Sequence, residues 1–371
     1  MPDYPLLVES FLSRADVQIN GDNPWDIHVH HPGFYKRAIL ERTIGMGEAF
    51  MDGWWTCDQV DELFCRLAAA QINQKFDFPL HEKVKIFLSG MINLQTRPRS
   101  QKVIREHYNL QSDVILSCLD AYKQYSCGYF KETDDLEVAQ QQKLEMICSK
   151  LDLSSQDRVL DIGCGYGGFA KYAAEKYHCE VVGITPSDRQ TLFAKEFCQG
   201  LPVSIIQKDY RDFQGQFSKI VSVGMVEHVG YKNYRTLIEK VHDCLEDGGL
   251  FLLQTIGGHE SVTTGDAWLM KYIFPNSMLP SASQLTRAAE GLFTLEDVHN
   301  FGSDYHKTLM AWHQNFVREW PRFNQSLDEN FFRMWSYYLQ HFAGTFKARM
   351  NQLWQFVFSK CGRSLSYNAI R

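Results

Sequence analysis

Ten cysteines, at 57, 65, 118, 127, 148, 164, 179, 198, 244 and 361, include no CxxC pair and no metal-ligand spacing. A zinc or iron–sulfur centre is therefore not expected, and reduced thiols are. No apolar run approaches the roughly 20 residues of a membrane-spanning helix. The opening MPDYPLLVESFLSRADVQING has neither the basic start nor the continuous apolar stretch of a secretory signal. Positive charge is also short: 38 Lys and Arg against 44 Asp and Glu leave a net charge of -6, which argues against a general nucleic-acid binder. Internal repeats and low-complexity tracts are absent as well. What remains is a 371-residue chain with 44% hydrophobic residues, enough for a real core and for two domains.

The chain is organised around residues 158–169, RVLDIGCGYGGF. Val159, Leu160 and Ile162 read as a buried parallel strand, and the run stops at a GxGxxG turn formed by Gly163, Gly165 and Gly168. The residues after it have the composition of a helix packed on a sheet, with its N-terminus toward a ligand. Asp161 stands at the strand end, where a carboxylate can meet a cation. A second strand, Cys179 to Ile184, ends in Gly183-Ile184-Thr185-Pro186-Ser187 with no acid where a dinucleotide fold holds its ribose. S-adenosylmethionine (SAM), with a sulfonium, an α-amino group and no pyrophosphate, suits this site better than NAD.

Further strands are expected over Val203 to Gln207, Ile220 to Val223, Gly249 to Ile256, Leu292 to Asn300 and Leu353 to Ser359. Helical patterns fall over Leu136 to Leu151, Arg189 to Cys198, Tyr234 to Leu245, Thr308 to Val317 and Asn330 to Phe342. Such alternation predicts a mostly parallel sheet covered on both faces. Ahead of it, a short helix over Leu6 to Leu12 and a hairpin pairing Val17 to Asn20 with Trp25 to His30 open a small mixed domain. Helices follow over Phe34 to Leu40, Val60 to Ile72 and His81 to Ile92. Residues 44–55 read as a buried turn. The basic stretch 96–105 reads as a linker, either a plain solvated face or, beside an enzyme acting on lipid, a patch for anionic headgroups.

Taken together, several stretches are similar to those of the cyclopropane-fatty-acyl-phospholipid synthase family, related to the mycolic acid cyclopropane synthases. They are GMGEAFMDGWW (45–55), EHYNL (106–110), QYSCGYF (124–130), VLDIGCGYGGFA (159–170), VVGITPSDRQ (181–190), SVGMVEHVG (222–230), KYIFPN (271–276), HNFGSDYHKTLMAW (299–312) and LWQFVFSK (353–360). The resemblance implies an α/β class I SAM-dependent methyltransferase fold, Rossmann-like with a seven-stranded mostly parallel sheet, behind a smaller α+β N-terminal domain. It implies a lipid-engaging domain at 1–95, a linker at 96–105 and a catalytic domain at 106–371. It also implies transfer of a methylene unit from SAM onto a cis double bond of an unsaturated acyl chain in a membrane phospholipid. A cytoplasmic homodimer in transient peripheral contact with the inner face of the membrane goes with that activity.

Carried over by motif, Tyr125 and Ser126 cover the methionine end of SAM, Gly163 and Gly165 lie along it, Thr185 and Gln190 replace the usual ribose acid, and Asp209 and Tyr210 border the adenine. Thr185 could equally be a helix N-cap, and Gln190 a surface residue. The family removes the final proton with a bound bicarbonate ion, whose ligands map to Cys127, Glu227, the Ile256 backbone and Tyr305. Tyr129, Phe130 and Tyr272 offer aromatic faces to a carbocation, or else are core. Where the family pattern has a histidine on the fifth strand, this chain has Gln254, which can donate an N–H but cannot shuttle a proton. That departure leaves open weaker bicarbonate binding, compensation by His228 or His259, a fatty-acyl C-methyltransferase that does not close the ring, or a catalytically silent lipid- and SAM-binding relative.

Overall fold

The computed structural model describes residues 3–71, 109–362 and 366–371. The expected helix over 81–92, the linker at 96–105 and residues 106–108 of EHYNL lie outside the described residues. Among the described residues no helix is long and apolar enough to cross a membrane. Contacts divide the chain into two compact units.

The first unit takes in Met1–Met91, Thr264–Pro275 and Tyr305–Asn351, so it draws on segments that the sequence assigns to the catalytic domain. Aromatic burial is the reason. Tyr337, on the helix Glu329–Lys347, is 4.7 Å from Trp268, 5.4 Å from Phe50 and 5.6 Å from Phe64, centroid to centroid. A linker signal is local in sequence, whereas these rings come together from distant segments.

Two local expectations fail here. Strand β1 (His28–Val29) pairs antiparallel with β2 (Trp55–Thr56) rather than with Val17 to Asn20. The buried Asp26 carboxylate takes the amides of Gln18 at 2.7 Å and Asn23 at 2.9 Å. A side chain thus closes the loop, leaving only an isolated bridge, Ile19 to Ile27, in the hairpin's place. The helix that begins at Phe34 does not give way to a turn at 44–55. It runs Gly33–Met51, broken at Arg42 with φ 54°. Gly47 serves packing: a Cβ there would lie 2.3 Å from Trp268 Nε1.

The second unit takes in Ile92–Thr263, Asn276–Asp304 and Gln352–Arg371. Its seven strands are β3 (Arg158–Ile162), β4 (Glu180–Thr185), β5 (Val203–Gln207), β6 (Phe217–Val223), β7 (Leu245–Gly258), β8 (Thr294–Asn300) and β9 (Asn351–Ser359). Their order in the sheet is β5-β4-β3-β6-β7-β9-β8. The pairs β3–β4, β4–β5, β3–β6 and β6–β7 are parallel, and β8–β9 is antiparallel. As expected, Leu144, Ile147, Cys148 and Leu151 of the helix Leu136–Lys150 and its end pack with Val159 of β3. On the other face, Leu237, Ile238 and Val241 of the helix Tyr234–Cys244 join Leu160, Ile220 and Phe251. β4 and β6 flank β3 on opposite sides, so the strand order reverses there, and the crevice at the carboxyl ends of such strands is where open α/β sheets hold ligands.

The helix Gly168–Tyr177 starts under the segment that leads to QYSCGYF. A Cβ on Gly168 would lie 1.8 Å from the Tyr122 carbonyl oxygen and 2.2 Å from Gln124 Nε2. Gly168→Ala is expected to cost about 1–3 kcal/mol through overpacking and to lower the melting temperature in circular dichroism. An unchanged melt would show that the 122–124 segment yields freely.

Candidate active site

The glycine turn is built as its spacing suggests. β3 ends at Ile162, and Gly163 and Gly165 adopt left-handed φ of 81° and 53°. A Cβ on Gly165 would meet nothing within 4 Å, so its side there is open to an incoming group. The amides of Gly163 and Cys164 bond the Ile184 carbonyl at 2.9 and 3.0 Å, tying the turn to β4. Beyond it lies an open crevice bordered by Gly163, Pro186, Asp209, Tyr210, Met225 and His228.

Asp161 is 3% exposed, and its Oδ2 has no hydrogen-bond partner among the described residues. Burial pushes its carboxyl up to about 7, with the Lys143 ammonium pulling the other way. Thr185 and Gln190 meet: the threonine hydroxyl donates to Gln190 Oε1 at 2.7 Å, which turns the amide nitrogen of Gln190 away from that bond. The N-cap of the helix Asp188–Phe197 is Ser187, whose Oγ accepts the Gln190 amide at 3.3 Å. Thr185 is thus not the cap. Asp209 and Tyr210 border the crevice as expected, although the Asp209 carboxylate is engaged by Arg211, with Nε at 2.8 Å.

Tyr125 is half-buried, and Ser126 is buried with its Oγ taking Lys143 Nζ at 3.0 Å and its carbonyl taking Gln140 Nε2 at 2.7 Å. Cys127 is buried, its thiol donating to the Gly128 carbonyl at 3.2 Å. Tyr129 sits edge-on to His299 and Phe301 at 5.6 and 5.4 Å, and the Phe130 amide donates to Asp304 Oδ2 at 2.8 Å. In the first unit, Tyr272 donates its hydroxyl to Glu48 at 2.8 Å, and Tyr305 packs 4.5 Å from Phe346.

Glu227 stands in the short 3-10 turn Val226–His228 just after β6. It is 6% exposed; its Oε1 accepts the Ile256 amide at 2.7 Å, and its Oε2 has no hydrogen-bond partner among the described residues. The Ile256 amide is therefore engaged by Glu227 itself. Burial raises the Glu227 carboxyl to about 7. Two residues earlier on β7, Gln254 accepts Gln355 Nε2 at 2.9 Å through its Oε1, and its Nε2 has no partner among the described residues. Half-buried His228 is pushed down by desolvation to about 4 and is neutral near pH 7; His259 shares a 3.3 Å contact with Gln352.

Reading by motif passes over Lys143, Gln124, Gln140 and Gln355. A signal existed for two of them. Gln140 and Lys143 fall at the i, i+3, i+4, i+7 spacing of the buried face with Leu144 and Ile147, and polar residues at core spacing point to a network.

The raised Glu227 carboxyl has a thermodynamic consequence. The folded state keeps a proton that the unfolded chain releases near pH 4.3, so the group's contribution to stability is full below that value and is lost as pH rises through about 7. Glu227→Gln is expected to melt increasingly above the wild type between about pH 4 and about pH 7, the gap levelling off beyond. The growth should reach several degrees, since ~1 kcal/mol moves a domain of this size by about 2–4 °C. A pH-independent gap in thermal melts would contradict the assignment.

Comparison with known proteins places this geometry. Residues 95–356 match the family model described as mycolic acid cyclopropane synthetase. The cyclopropane-fatty-acyl-phospholipid synthase of Escherichia coli (strain K12) is 47% identical over 354 residues, 95% of this chain and 93% of that protein. A probable fatty acid methyltransferase of Pseudomonas putida is 33% identical over 259 residues, 66% of each chain. Mycolic acid cyclopropane synthase CmaA1, solved with S-adenosylhomocysteine (SAH) and CTAB, superposes with a TM-score of 0.65 at 28% identity, over 70% of this chain and 98% of that one. With its mostly parallel seven-stranded sheet, its glycine turn and its buried carboxylates, the chain belongs to the mycolic acid cyclopropane synthetase family and has the fold of the SAM-dependent methyltransferases.

Proposed function

We propose that the protein transfers a methylene unit from SAM to the cis double bond of an unsaturated phospholipid acyl chain, closing a cyclopropane ring. The observation that carries this reading is the 47% identity to the E. coli synthase over 95% of the chain, which extends through both units rather than through the cofactor motif alone.

The residues at the sheet edge fit SAM. The open side of Gly165 admits a ligand, the free Oδ2 of Asp161 suits an α-ammonium group, and the Thr185–Gln190 pair offers polar atoms to ribose hydroxyls without an acid. When bound, SAM supplies an electrophilic methyl group. An alkene is a poor nucleophile, so the chain's task is to hold the reacting atoms in line and keep water out, an effect that is worth several kcal/mol. Tyr125 and Ser126 lie over the methionine end in this reading, and Asp209 and Tyr210 beside the adenine.

Ring closure requires that a proton leave the transferred carbon. Glu227 and Gln254 fit a small oxyanion: Gln254 holds a buried amide donor with no partner among the described residues, and Glu227, near neutrality, can donate from its free Oε2 when protonated. The resemblance also implies Cys127, the Ile256 backbone and Tyr305 as ligands; here the Ile256 amide is held by Glu227, and Tyr305 belongs to the first unit. Bicarbonate, when bound, supplies the base. Residues 1–95 are read as the lipid-engaging part, in a homodimer peripheral to the cytoplasmic face of a membrane.

Gln254, together with the likeness to the P. putida methyltransferase, favours one second reading, a fatty-acyl C-methyltransferase that stops short of the ring. Both products add one CH₂, so mass alone does not separate them; ozonolysis cleaves only the one that keeps a double bond. Purified protein, SAM and vesicles of a cis-unsaturated phospholipid, with and without bicarbonate, are expected to yield an ozone-resistant product formed faster with bicarbonate. An ozone-labile product moves the assignment to the second reading, and SAM binding without SAH release removes both. Gln254→His should raise turnover or bicarbonate affinity, and the idea that Gln254 weakens the anion site fails if neither changes. Glu227→Gln should lower kcat on the order of 10²–10⁴-fold while leaving SAM affinity near that of the wild type.

A further inference from the structure

The helix Leu136–Lys150 carries a lysine directly into the interior. Lys143 is 0% exposed, and its Nζ donates to Gln124 Oε1 and to Ser126 Oγ. Around it the polar atoms are knitted together. Gln140 Nε2 holds the Ser126 carbonyl, Gln124 Nε2 reaches the Tyr122 carbonyl at 3.2 Å, and Asp120 takes the amides of Tyr122 and Gln124 at 2.8 Å each. The acidic groups that act on the lysine are Asp120, Cys127 and Asp161.

Isolated buried charge costs several kcal/mol, yet among the described residues this ammonium forms no ion pair with a carboxylate, only the bonds to Gln124 and Ser126. Two of its three N–H donors have acceptors. Asp161, one of the acidic groups that act on the lysine, has a buried Oδ2 with no hydrogen-bond partner among the described residues. The lysine is thus fixed on Ser126, and the carboxyl it acts on stands in β3 two residues ahead of Gly163.

We propose that Lys143 is a positioning residue for the methionine end of the cofactor: its ammonium fixes the Ser126 hydroxyl and supplies the positive charge against which Asp161 remains an anion for the cofactor's α-ammonium. The inference rests on the reading of Ser126 and Asp161 as SAM contacts. It explains why an ionisable group stands where a methionine would pack as well. Burial alone drives the Asp161 carboxyl upward, and Lys143 is the charge that opposes it. Burial also lowers Lys143 itself to about 8, still positive where the carboxylate must form.

The test is calorimetric binding of SAH to the full chain from about pH 6 to about pH 8.5. Over this range the α-amino group of the probe, like that of a free amino acid, stays protonated. Wild-type affinity should rise with pH as Asp161 ionises. Lys143→Met should shift that rise to higher pH, so the loss relative to wild type is on the order of tenfold at about pH 6.5 and shrinks toward pH 8.5. Lys143→Arg, which keeps the charge, should stay nearer the wild-type curve, and Asp161→Asn should flatten it. Parallel curves for wild type and Lys143→Met, offset equally at every pH, would overturn the proposal, because loss of the Ser126 contact alone gives that result. Should Lys143→Met fail to fold, a wild-type pH rise persisting in Asp161→Asn overturns it equally. Wild-type protein that does not bind SAH would instead bring down the cofactor reading, and this inference with it.

Discussion

Desolvation of two carboxyl groups is the constraint on which the second unit's chemistry depends. Asp161 closes β3 and Glu227 follows β6, the two strands that meet where the sheet order reverses. Each has one oxygen without a partner among the described residues, and each is raised by burial to about 7. Similar shifts serve different ends because the neighbours differ. Asp161 is acted on by an ammonium that favours its anion, whereas no cation acts on Glu227 and only hydrogen bonds, the Ile256 amide's among them, oppose the effect of its burial.

The first unit is held by a different force. Trp55, Trp268, Tyr337 and Phe34 are fully enclosed, and edge-to-face contacts among such rings add to the area they bury. Glu48 binds Arg37, Lys271 and Tyr272 at the margin of this cluster, so one carboxylate links Gly33–Met51 to the 264–275 segment. Tyr272, whose ring the sequence offers to a carbocation, is tied to that cluster by its hydroxyl.

Legibility followed the range of the interaction. The strands β3 to β9 and the longer helices between them announce themselves through apolar runs and periodicity, because each buries a continuous local stripe, whereas the short helices Ala267–Tyr272 and Ala282–Ala289 do not. The Thr185–Gln190 pair was visible because both residues sit in one short motif. The turn expected at 44–55 fails because a glycine ordinarily interrupts a helix, whereas Gly47 makes room for Trp268, a residue more than 200 positions away. The hairpin failed because Asp26 supplies through a side chain what a ladder would have supplied. Lys143 was passed over because a lysine in an amphipathic helix is ordinarily solvated, and only its spacing with Leu144 and Ile147 betrays that it faces inward.

The strand order also sets a schedule for synthesis. β9 lies between β7 and β8 in the sheet, yet it leaves the ribosome last, after residues 305–350 that belong to the first unit. β8 has no place to dock until then, and the flank of β7 stays bare while that stretch is translated, at about 5–20 residues per second. The nascent chain therefore carries an open edge of Leu250, Phe251, Leu252 and Leu253 for several seconds, a window in which a chaperone or a slow codon run at 305–350 would decide the yield of soluble protein.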